Sequence, residues 1–314
     1  MKYTILSHLY YKDRDEYTKL ISSRLNSEGT THLPFEIHDN PVFFCLCPEI
    51  FTLQEDIMKA DKKIYAIREK LPGVALEQFT KRSLIDEIVL TNNIEGVHSS
   101  RREIGDTLES IKEKSTKKRF FGLVNKYNLL NSDKISLKTC KDIRRIYDDL
   151  VLDEVVEDDP KNAPDGYLFR KDLAEVKTGT EKIIHKGSFP ETKITEEMNH
   201  ALTILNDNTI PVIVRISIFH YLFGYIHPFY DGNGRTSRFI SSYLLAQNFE
   251  PLIGYRLSYT IQENIHKYNK AFQICNDAKS CGDITPFIIT FMEFIKESMN
   301  NLEFALFKRL SDLN

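Results

Sequence analysis

The stretch "GYIHPFYDGNGRTSRFI", Gly224 to Ile240, decides how this chain is read. The segment before it, "PVIVRISIFHYLFGYI", is apolar enough for a buried helix, and "RTSRFISSYLLAQNF" after it has helical periodicity. His227 to Gly234 is therefore a tight loop joining the end of one helix to the start of the next. The first turn of a helix exposes unpaired N–H groups and the positive end of the dipole, a setting that favours an anion. Gly232 and Gly234 allow the backbone to come close and to adopt positive φ, and Asn233 adds an amide donor. These features make a phosphate cradle.

Arg235 and Arg238, three residues apart on the following helix, have forked donors that suit more than one phosphate, and two such cations at a helix start call for an anion between them. Asp231 at the loop entrance has the hard oxygen chemistry that suits Mg²⁺, the companion of nucleotide phosphates. His227, at the end of the preceding helix, is placed to act as a general base near neutral pH. Each piece alone reads as an ordinary turn, cap or core residue. Together they suit attack by a hydroxyl on phosphorus.

The string from His227 through Pro, Phe, Tyr, Asp231, Gly, Asn, Gly, Arg235, Thr and Ser to Arg238 resembles the signature of Fic domains, HPFx[D/E]GNGRxxR, at every specified position. The resemblance implies an all-α fold, a Fic-type helical bundle with one β-hairpin flap. It also implies an enzyme that moves AMP from ATP to a Ser, Thr or Tyr hydroxyl of a target protein. In that scheme His227 takes the hydroxyl proton, Asp231 holds Mg²⁺, Gly232, Asn233 and Gly234 cradle the phosphates, and Arg235 and Arg238 grip the β and γ groups. Relatives that move a terminal phosphate carry Lys where this chain has Gly234, which favours nucleotidyl transfer. The β-leaning runs of "EVKTGTEKIIHKG" around Gly179 resemble the flap on which the target docks, at Val176 to Lys186. Tyr268 falls near the family's adenine pocket, where Asn269 replaces a second tyrosine; a core tyrosine is an equal reading.

"TNNIEG", Thr91 to Gly96, resembles the inhibitory motif [S/T]xxxE[G/N] of the same family. A carboxylate at Glu95 can pair with the Arg238 guanidinium and compete with the γ-phosphate. In some relatives the same glutamate supports hydrolytic removal of AMP, so a de-AMPylating or bifunctional enzyme is the first alternative, and a non-catalytic, antitoxin-like binding protein the second. The resemblance divides the chain into an N-terminal helical region, residues 1–100, carrying the inhibitory helix, and a catalytic core with C-terminal helices, residues 101–314.

The remaining properties narrow the field. A balance of 42 basic against 45 acidic residues gives no broad positive field, which argues against nucleic acid. Five cysteines without CxxC spacing, and an N-terminus that meets charges before any signal-like apolar run, point to a cytoplasmic protein without a membrane segment. A GK[ST] phosphate loop is absent, and His220, His227 and Asp231 form no recognised zinc pattern. Helical patterns recur from Leu53 to Leu71, from Ala75 to Gly96, and onward to Leu310, with one hairpin. The stretch "LDEVVEDDPKNAPDG" reads as a solvated acidic loop. Self-modification is open, given 15 tyrosines, and so is a homo-oligomer.

Overall fold

The computed structural model describes residues 3–113, 118–177 and 183–313. In chain order these form α1 (Leu6–Lys12), α2 (Arg14–Leu25), β1 (Thr30–Ile37), β2 (Asn40–Cys45), α3 (Pro48–Arg68), α4 (Gly73–Ile94), α5 (Arg101–Lys112), α6 (Phe121–Asn128) and α7 (Cys140–Tyr147). A π-helical turn (Asp148–Leu152) leads into α8 (Asp153–Asp158), followed by β3 (Glu175–Lys177), β4 (Ile183–Lys186), α9 (Glu191–Leu205), α10 (Val212–Ile226), α11 (Asn233–Asn248), α12 (Leu257–Glu263), α13 (Ile265–Asn276) and α14 (Thr285–Ser311).

Helix α10 lies at the centre. It is apolar on nearly every face, which suits a helix that has no side left for water, and it packs against α9, α11 and α14. Its neighbours bury only a stripe: α3 turns Ile50, Leu53, Ile57, Ala60 and Ile64 inward at helical spacing and runs along α14. One hydrophobic cluster runs from Leu33 to Leu306. Among the described residues no helix is long and apolar enough to cross a membrane.

The all-α class and the β3–β4 hairpin agree with the sequence reading, although the hairpin's tip, Gly179 included, lies outside the described residues. A second antiparallel hairpin, β1–β2, was not anticipated. Its turn is His38-Asp39, both with positive φ (51° and 61°), the geometry that closes a two-residue hairpin without the usual Asn-Gly. Its strand β2 pairs in parallel with the turn before α14, where Phe43 N donates to Gly282 O and Ile284 N donates to Phe43 O, each at 3.0 Å. Asp283 in that turn is buried, and its Oδ2 accepts from Tyr3 Oη and Arg24 Nη1, both at 2.8 Å.

The acidic stretch is also not the solvated loop expected. Its first half continues a helix from Cys140 through the π turn into α8, with Leu150, Val151, Glu154 and Val155 buried at helical spacing. Between Leu257 and Asn276 the chain forms two helices, α12 and α13, broken at Asn264, whose side-chain amide donates to Thr260 O.

Candidate active site

The loop His227 to Gly232 sits where the sequence places it, between α10 and α11. His227 ends α10 in the left-handed region (φ 52°), its N–H still bonded to Phe223 O at 3.0 Å. That strained backbone is pinned by Arg170, a fully buried cation with no carboxylate partner among the described residues. Arg170 donates from Nε to His227 O at 2.9 Å, from Nη2 to Ser188 O at 2.8 Å and from Nη1 to Asp172 O at 2.5 Å, so one side chain joins the loop to the base of the flap. Sequence reasoning missed Arg170, because nothing in "GYLFRKD" marks it.

The His227 side chain is half-buried and lines a cavity of about 390 Å³ shared by Glu95, His185, Gly234, Arg238 and Tyr268. Burial pushes its pKa down to about 4, with His185 and Arg170 acting in the same direction and Glu95 opposing. The ring is therefore neutral at physiological pH and able to accept a proton.

Gly232 takes φ 77° and caps α11, and a Cβ there would lie 2.9 Å from Val151 Cγ2. Gly234 differs from expectation: it lies within the helix, its φ is not positive, and what it needs is space. A Cβ at Gly234 would lie 2.0 Å from Glu95 Oε1 and 2.9 Å from Arg238 Nη1. Asn233 borders the cavity. Its side-chain amide donates one N–H to Phe229 O at 2.8 Å and accepts from Phe229 N at 3.0 Å, so it braces the loop and keeps its second N–H. The N–H groups of the first turn of α11 stand beside it.

The two arginines part company. Arg238 donates from Nε to Thr91 Oγ1 at 2.8 Å and from Nη2 to Thr91 O at 3.0 Å, and Glu95 Oε1 lies 2.7 Å from Nη2. Arg235 is fully buried, is not among the residues lining the cavity, and gives Nη1 to Glu154 Oε1 at 2.5 Å. The anions that compensate these cations are two carboxylates of the chain itself: Glu95 on Arg238, the pairing read from "TNNIEG", and Glu154 on Arg235, which the sequence reading did not foresee. Gly96, just past α4, has φ 74° and ends that helix.

Asp231 stands at the loop entrance, its side chain 39% exposed, with Oδ1 accepting from Gly232 N and Oδ2 3.8 Å from Arg235 Nη2. Among the described residues no group of three His, Cys, Asp or Glu side chains could enclose a metal. A lone accessible carboxylate fits Mg²⁺ shared with nucleotide phosphates, since Mg²⁺ keeps water and substrate oxygens beside one or two protein ligands.

Tyr268 is a core tyrosine that also reaches the cavity wall. It is buried, its Oη lies 2.7 Å from His220 Nε2, and it also borders the cavity, as does Asn269. His220 bonds Ser241 through Nδ1 at 2.8 Å, so both ring nitrogens are engaged by protein, and burial holds its pKa down to about 3. It is a core histidine bridging α11 and α13.

Residues 138–245 match the model of the Fic/DOC family. The chain is 41% identical over 69 residues to the protein adenylyltransferase Fic of Aedes aegypti, a match covering 22% of this chain and 12% of that protein. It is 31% identical over 99 residues to the protein adenylyltransferase fic-1 of Caenorhabditis elegans, covering 30% and 18%. These matches span less than a fifth of the relatives' own length. Among solved structures, a Fic family protein from Desulfovibrio desulfuricans G20 superposes with a TM-score of 0.61 at 17% identity, over 86% of this chain and 76% of that one. Fic-1 from C. elegans superposes at 0.57 and 17%, over 96% and 80%. A matched signature, its place between two buried helices and the shared fold converge on one conclusion: residues 138–245 match the Fic/DOC family, within a chain that has the fold of Fic family proteins.

Proposed function

We propose that the protein transfers AMP from ATP to a hydroxyl of a target protein. The observation that carries this reading is a neutral His227 lining one cavity with the first turn of α11 and with Arg238. The names of the matched relatives support it. The target oxygen attacks the α-phosphorus, His227 takes its proton, the bond from that phosphorus to the bridging oxygen breaks, and pyrophosphate leaves. The N–H groups of the loop and the two arginines hold the phosphates. Mg²⁺ held by Asp231 would neutralise phosphate charge. The edge of the flap, Val176 to Lys186, would take the target as an added strand.

Residues 1–100 carry the regulation in this proposal, and 101–314 the catalytic core. Glu95 and Thr91 occupy the Arg238 donors that a γ-phosphate would need, so the enzyme rests in a blocked state. The free cysteines suit a reducing compartment, the cytoplasm. A second reading has its own support: Glu95 borders the same cavity as His227, so it could aim a water at an AMP-modified target and hydrolyse it. The deciding experiment is intact-mass measurement of wild-type and Glu95→Gly protein, with candidate targets, after incubation with Mg²⁺ and ATP. A gain of one AMP that is larger in the variant supports transfer. No gain in either, combined with loss of AMP from pre-modified target only when Glu95 is present, replaces transfer with hydrolysis.

A further inference from the structure

Glu154 is the carboxylate that the sequence reading left in a linker. In the structure it stands at the first turn of α8, directly after the π-helical turn, a local geometry that recurs at functional sites. The π turn reaches the anion loop, since Val151 is the neighbour that a Cβ on Gly232 would strike first. Glu154 Oε1 accepts from Arg235 Nη1, and the two side chains are 6% and 0% exposed.

The donors that remain on Arg235 are informative. On Arg238 the Nε and Nη2 groups are both engaged by α4. On Arg235 the same two groups, the edge that takes two oxygens of a phosphate at once, have no hydrogen-bond partner among the described residues although they are buried. The carboxylate oxygen beside them, Asp231 Oδ2, is 3.8 Å from Nη2, beyond hydrogen-bonding range. Buried donors left unpaired cost stability unless something completes them.

We propose that Glu154 is a positioning residue: by holding Nη1 it fixes Arg235 with its Nε–Nη2 edge free, on the Asp231 side, for the phosphates of the nucleotide. This rests on the nucleotide reading above. Arg238 must be released from α4 before it can serve, whereas Arg235 is already set. Without Glu154 the buried guanidinium loses both its counter-charge and the contact that fixes its rotation.

The test uses the full chain with Glu95→Gly as parent, and isothermal titration of ATP and of adenosine. Glu154→Gln should raise the Kd for ATP about tenfold or more while adenosine binding stays within about twofold, with Glu154→Asp intermediate. A merely structural role would weaken both ligands alike. Adding Glu154→Gln to Arg235→Ala, a pair that leaves no unpaired charge, should weaken ATP no further than Arg235→Ala alone. Unchanged ATP affinity in Glu154→Gln, equal loss for both ligands, or a further loss in the double variant would overturn the proposal. A parent that binds no ATP would instead overturn the nucleotide reading.

Discussion

Arg238 donates through Nε to Thr91 Oγ1 and through Nη2 to Thr91 O, while Glu95, one turn further along α4, meets the same Nη2 at 2.7 Å. Two successive turns of one helix thus take hold of a single guanidinium. Removing the carboxylate leaves Thr91 with neutral bonds that a phosphate can displace. Glu95→Gly should raise transfer from α-labelled ATP by about tenfold or more, and Thr91→Ala by a smaller factor, given that charge-assisted bonds outweigh neutral ones. A Glu95→Gly protein no faster than wild type would remove the proposed regulation.

His227 should set the acidic limit of the reaction. Burial lowers its pKa to about 4, so the ring stays unprotonated well below the usual histidine range. With Glu95→Gly as parent, the rate should lose no activity to His227 protonation between pH 8 and 6, and should fall as pH approaches 4. His227→Ala should cost about 10²- to 10⁴-fold in kcat. An acid limb centred near 6.5 in the parent would show that the ring is not held as described.

Gly234 is expected to betray Glu95 by collision. A methyl group at this position meets Glu95 Oε1 at 2.0 Å, so Gly234→Ala should destabilise the wild type by about 1–3 kcal/mol despite the better helix propensity of alanine. In the Glu95→Gly background that obstacle is gone, and the cost should shrink by more than about 0.5 kcal/mol, the usual mark of coupled sites. Denaturant titration of the four proteins checks it, and additive costs would refute the contact.

Glu87 lies one turn before Thr91 on α4, fully buried, and its carboxylate accepts from Ser258 N and Ser258 Oγ. Burial holds its pKa up to about 7, opposed by the Ser258 bonds and by the charges of Arg238 and Arg256. Its folded pKa is therefore above its unfolded one. The stability it contributes is complete below about pH 4.5 and is lost as pH rises through about 7. Compared with Glu87→Gln, wild type should lose about 1–3 kcal/mol between pH 5 and pH 8. Both proteins share His220 and His227, whose lowered pKa values act in the opposite direction, so the difference between them isolates Glu87. Parallel pH profiles would contradict the burial effect.

The architecture was legible wherever one face of a helix repeats, as in α3, and where the loop signature fixed α10 and α11 on either side. The β1–β2 hairpin escaped although Leu33, Phe35 and Ile37 alternate inward, because Pro34 and Pro41 argue against strands and the His38-Asp39 turn lacks glycine. In the site, the residues of the signature came together because they are neighbours in sequence. Glu95, the partner of Arg238, was legible in "TNNIEG", but the partners of Arg235 and of the His227 backbone were not. Glu154 lies 81 positions from Arg235, inside a run of acids whose charge hid the buried spacing of Val151 and Val155. Among the described residues Arg170 bonds to backbone carbonyls, which leave no trace in a sequence.

The Asp283 clasp makes the domain less portable than its family match implies. Tyr3 and Arg24 hold that carboxylate at the foot of α14, and α14 carries Phe291, whose ring stacks 4.3 Å from His220. His220 in turn steadies Tyr268 at the wall of the cavity. A protein shortened by its first 25 residues would therefore be disturbed far from the cut, at the cavity wall that Tyr268 forms, and grafting residues 138–245 alone onto another scaffold would leave that wall behind.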